Sequence, residues 1–130
     1  MDTSPLVIDE IEAGRAFIDR MNSFAPVKAA LWLKSAEDGE RYLYVALEGF
    51  TGEKGDPAYS EAYRIATDME DHYIDPFRVH LIGPSHPVAK AVMEFYVRYP
   101  KRSPARYDGW SLNGVPIVDA YIYQRVRVDK

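Results

Sequence analysis

The apolar positions of this chain change period several times, and each change marks an element. Beginning near Asp9, Ile11, Phe17, Ile18 and Met21 form one apolar side at helical period, and Asn22 to Pro26 ends it. Asp9 and Glu12 have capping-box spacing, while Ser4-Pro5 is a competing start. The period then falls to two. Val27, Ala29, Leu31 and Leu33 alternate with Lys28, Ala30, Trp32 and Lys34; after Asp38-Gly39, Leu43, Val45 and Leu47 alternate with Tyr42, Tyr44, Ala46 and Glu48. Two alternating arms around a turn that tolerates positive φ predict a β-hairpin.

A glycine-bearing loop from Phe50 leads to Asp56-Pro57, an N-cap followed by a first-turn proline. Ala58, Ala62, Ile65, Met69 and Tyr73 then predict a second helix reaching about His72. Pro76 breaks it, a short strand runs from Phe77 to Ile82, and Gly83-Pro84 turns into a third helix. Ser85 is the natural cap of that helix, and Val88, Val92, Phe95 and Tyr99 are its stripe. Tyr99 to Gly109 reads as a basic loop. A second hairpin follows around Asn113-Gly114, with Pro116 suggesting an edge position or strand start. In its long arm Val118, Ala120, Ile122, Val126 and Val128 face one way, and Asp119, Tyr121, Tyr123, Arg125 and Arg127 the other.

The order α-β-β-α-β-α-β-β predicts an α+β fold: a mixed, mostly antiparallel sheet of about five strands with three helices. Residues 1–130 are of a size for one domain. No apolar run approaches the ~18 residues needed to span a bilayer. The N-terminus is acidic where a signal peptide would be basic, and the sequence holds no cysteine; both fit a cytoplasmic protein with no membrane partner.

Charge changes the picture more than composition does. Residues 1–75 hold sixteen acids and seven bases, whereas residues 76–130 hold four acids and nine bases. Such asymmetry arises when two halves neutralise each other within one fold, when one half binds an anion, or when complementary surfaces pair between subunits.

The chemistry-bearing motifs are sparse. His80 to Val92 has the layout of a phosphate-gripping strand–turn–helix, with His80 or His86 near the Gly83–Ser85 turn and Arg78 or Lys90 as charge partners for an anionic, phosphorylated substrate. Against that reading, a single glycine is too few for either phosphate-loop pattern, and Pro84 and Pro87 each remove an N–H donor. His72 lies among Asp68, Glu70, Asp71 and Asp75, but adjacent helical residues point about 100° apart. No His-x-x-x-His motif is present, and the serines lack a nucleophile-elbow context, so no metal or cofactor is expected.

The strands offer a sharper feature. If the leucine and valine positions of both hairpins share one face, the other carries Trp32, Tyr42, Tyr44, Tyr121 and Tyr123, flanked by Lys28, Lys34, Arg125 and Arg127. So aromatic a face is ordinarily covered or used. The first helix, a second subunit or a flat-ringed ligand could cover it. The Arg98, Lys101, Arg102 and Arg106 segment, with its interleaved tyrosines, keeps single-stranded nucleic acid among the ligands, although the usual ribonucleoprotein motif is absent and the chain is acidic overall. The leading expectation is a non-catalytic interaction module that self-associates through the sheet or the basic loop, or binds a protein partner. A small enzyme at the Gly83–Ser85 turn is the alternative, and nucleic-acid binding the second alternative.

Overall fold

A computed structural model describes residues 8–35, 39–53, 55–101, 104–108, 111–112 and 115–124. Its elements are α1 (Ile8–Phe24), β1 (Val27–Ser35), β2 (Arg41–Leu47), α2 (Pro57–Met69), β3 (Val79–Ile82), α3 (Pro87–Arg98), β4 (Ala105–Asp108), β5 (Ser111–Leu112) and β6 (Val115–Ile122). The fold is α+β, with three helices on a mixed, mostly antiparallel sheet in the expected order. The strands run β3-β2-β1-β6-β4, β5 pairs with β6, and among the described residues only β2–β3 is parallel. Among the described residues there are six strands rather than about five. The additional one is β4, formed within the expected basic loop because Ala105 to Asp108 pairs with Asp119 to Ile122.

Several boundaries shift for local reasons. Asp9 lies inside the first turn of α1, beside Glu10, and Ser4-Pro5 falls outside the described residues. α2 stops at Met69, short of His72. Glu70 adopts the left-handed conformation (φ 51°), and its N–H turns back to the Thr67 carbonyl, closing the helix. Pro76–Arg78 forms one turn of 3-10 helix before β3 begins. His86, not Ser85, caps α3: its Nδ1 accepts the Val88 N–H at 3.1 Å. β6 is an inner strand, between β1 and β4. Pro116 is accommodated at its start, because pairing with β1 extends only as far as Ser35↔Ile117.

Each face of the sheet packs a helical layer. On one, α1 and α2 bury Phe17, Ile18, Met21 and Ile65 against Trp32, Leu43, Val45, Leu47 and Tyr123. On the other, α3 buries Val88, Val92 and Tyr96 against Leu31, Leu33, Ala46, Ala120 and Ile122. A sheet covered on both sides needs apolar residues at both phases of each strand, and β1 has them, with Ala29 to Leu33 continuously buried.

This register corrects the expected grouping. Leu31 pairs with Tyr44 and Trp32 with Leu43, so the leucines of β1 share a face with the tyrosines of β2. A bulge at Lys28 also moves Val27 across, to the side of Ala30 and Trp32.

Candidate functional site

The five rings expected on one face are divided between two. Trp32, Tyr121 and Tyr123 lie on the α1–α2 side, and Tyr42 and Tyr44 on the α3 side. Trp32 and Tyr123 are 4% and 2% exposed beneath α1, so they offer no open stacking surface. Their polar atoms are used internally. Trp32 Nε1 donates to the Tyr123 hydroxyl at 2.8 Å, which donates to the Ile11 carbonyl at 2.6 Å. Burial holds the Tyr123 phenol proton well above the ordinary tyrosine range, although the Trp32 N–H pulls the other way.

On the opposite face the structure brings four of the expected residues together. The His80 ring stacks on Tyr42, with centroids 4.2 Å apart, and meets Tyr44 edge-on at 5.1 Å. Tyr44 also neighbours His86, at 6.4 Å. The helix-start amide that an anion would need, Val88 N–H, is taken by His86 Nδ1, while Ser85 points to solvent. The Gly83 turn is instead closed by the His86 N–H bonding to the Gly83 carbonyl, and the Phe50 carbonyl lies against Gly83 where a Cβ would be. This turn fits a structural corner.

The expected charge partners are dispersed. Arg78 pairs with Glu40, Arg98 with Glu94 at 3.0 Å, and Arg106 approaches Asp119 at 4.0 Å across β4 and β6. Lys90 and Lys101 are exposed; Arg102 and Arg125 lie outside the described residues. The His72 ring lies tilted against Tyr73, with centroids 4.1 Å apart, and Asp68, one of the acids near it in sequence, accepts from Arg20 of α1 at 2.8 Å. That bridge holds the Asp68 carboxyl below its usual value. Among the described residues, no three potential ligands from His, Cys, Asp and Glu cluster as a metal site would require.

Two concavities were not anticipated. A polar cleft of about 300 Å³ lies between α1, the β1–β2 end and the segment after α2. Its wall includes Lys34, 9% exposed, with Arg41 facing Glu10 at 3.5 Å and Arg78 facing Glu40. Opposite charges there offset one another.

The second is a groove of about 520 Å³ where the end of α1, the β2–α2 loop and the start of α2 meet. Phe24, Leu47, Phe50, Pro57 and Ala58 supply apolar walls; Glu48, Glu53 and Asp56 supply acids, and no base is among the described lining residues. The loop is built by Asp56, which caps α2 through Ala58 N–H at 2.9 Å and holds Thr51 N–H and Oγ1, each at 3.1 Å. Those bonds, the one from Ala58 foremost, keep the Asp56 carboxyl below its ordinary value. Phe50 packs edge-to-face on Tyr59 at 5.4 Å. The available sequence signal was an aromatic residue opening a glycine-rich acidic loop.

Comparison with known protein families, curated proteins and solved structures finds no significant match.

Proposed function

We propose that this chain is an interaction module that binds through its surface, without catalysis, and associates with copies of itself. The observation carrying this reading is the set of large apolar side chains left in water by a fold whose sheet faces are both occupied. Phe77 is 83% exposed at the sheet edge and Val97 77% exposed on α3, while Phe24, Tyr59 and Tyr63 stand out on the α1–α2 layer. Exposed apolar side chains flanked by charge are a common feature of association surfaces. Because both sheet faces carry helices, the contact is sought at the sheet edge and on the helical layers rather than on the sheet itself.

Sedimentation velocity across a wide protein concentration range tests this. The expected result is a weight-average mass that rises with concentration. A mass fixed at that of one chain up to near-millimolar protein would sink the self-association reading.

A further inference from the structure

Resting on that reading, we infer which surfaces meet: the C-terminal tip of α3 in one chain docks into the acidic groove at the α1–α2 corner of another. Both surfaces pair exposed apolar side chains with charge, and the charges are of opposite sign. The groove has apolar walls, with Phe24 partly exposed, beneath the carboxylates of Glu53 and Asp56 and that of Glu48, which Lys28 approaches at 3.6 Å. The tip carries exposed Val97 and Tyr99 beside Arg98 and Lys101. Arg98 is tied only to Glu94, one helical turn away, in a pair whose side chains are 63% and 65% exposed. Such a pair contributes little and rearranges readily.

Within one chain the tip and the groove belong to opposite helical layers. α1 and α2 cover one face of the sheet and α3 the other, so the sheet stands between tip and groove. The division of charge follows the same lines, since the groove belongs to the acidic stretch 1–75 and the tip to the basic stretch 76–130. Different patches meeting on identical chains make a heterologous contact, which continues from copy to copy unless the rotation closes it. Carboxylates around an apolar floor would also speed encounter with a basic tip and orient it.

The test uses reversed charges at two exposed positions, Lys101→Glu on the tip and Glu53→Lys on the groove. Unchanged thermal melts will establish that both variants fold. Each variant alone is expected to associate roughly tenfold more weakly than the parent, since each places like charges in the contact. An equimolar mixture of the two is expected to regain parental affinity, because every tip then has a groove of opposite sign. Parental association untouched by either reversal, or a mixture as weak as its components, would overturn the docking while leaving self-association standing. A parent that stays single-chain at all concentrations would overturn both.

Discussion

The indole N–H of Trp32 donates to the hydroxyl of Tyr123 at 2.8 Å, across 91 residues of sequence, and this bond joins β1 to the end of β6 beneath α1. The same hydroxyl donates to the Ile11 carbonyl, and on the other side of the sheet the Tyr96 hydroxyl donates to the Tyr123 carbonyl at 2.8 Å. One residue thus ties both helical layers to the sheet. Because a buried polar atom is costly only when its partner is missing, the arrangement is sensitive to single-atom changes.

Tyr123→Phe removes one oxygen and leaves the Trp32 N–H and the Ile11 carbonyl without it. The expected loss is about 1–3 kcal/mol in urea unfolding. The pH dependence has a definite sign. Burial raises the folded-state value of Tyr123, while an unfolded tyrosine ionises near about 10. Below that pH the contribution is fully present; above it the unfolded chain sheds a proton that the folded chain retains, so stability falls as pH rises. The Phe variant should therefore lose stability less steeply above about pH 10 than the parent. Parallel curves for the two proteins would remove Tyr123 as a cause of alkaline lability.

Gly14 is required by the same network. A Cβ there would overlap the Tyr123 hydroxyl oxygen and come within 2.8 Å of Trp32 Nε1. Alanine in a helix interior ordinarily gains about 1 kcal/mol over glycine. Here Gly14→Ala is expected to destabilise by about 1–3 kcal/mol, because α1 must move off the sheet. The cost should shrink in a Tyr123→Phe background, which removes the obstructing oxygen, so a double-mutant cycle by thermal melting would show strong coupling. Additive effects would mean that the helix absorbs the methyl elsewhere.

How far the sequence could have given this arrangement is clearest at the first hairpin. The alternation of both arms was legible, but their relative phase was misjudged, and that phase decides which rings share a face. Opposite residues in an antiparallel pair point to the same side, so a connection with an even number of residues sets odd positions against even ones. A two-residue turn at Asp38-Gly39 already implies that Leu33 faces the same way as Tyr44. The observed Lys34↔Arg41 pairing, with six residues between, has that same parity. Hydrophobicity alone could not reveal it, because β1 is apolar at both phases and fits either side. The groove was less legible still. It joins the end of α1 to a loop some thirty residues later, and only the packing of α1 on α2 brings them together.

His86 tests whether the Gly83 turn is structural. With Nδ1 capping α3, His86→Ala should cost about 0.5–2 kcal/mol, and His86→Ser or His86→Asp should restore most of it, since both side chains can accept the same N–H. Chemical denaturation of the three variants settles the comparison. If serine and aspartate destabilise as much as alanine does, the ring is needed for its contact with Tyr44 and not as a cap.

Asp56 shapes both α2 and the groove, and its carboxylate has its own pH signature. The Ala58 N–H, followed by that of Thr51, holds its folded-state value below that of the unfolded chain. The stabilisation is therefore present above about pH 4, where an unfolded aspartate is charged, and is lost as pH falls through the lower folded value. Asp56→Asn keeps an accepting oxygen but cannot titrate. The urea midpoint of the parent should exceed that of the Asn variant most clearly near neutral pH, and the gap should narrow below about pH 4. Dilute protein keeps association out of the measurement. If the gap stays constant down to strong acid, the loop is held by the geometry of the accepting oxygen rather than by its charge.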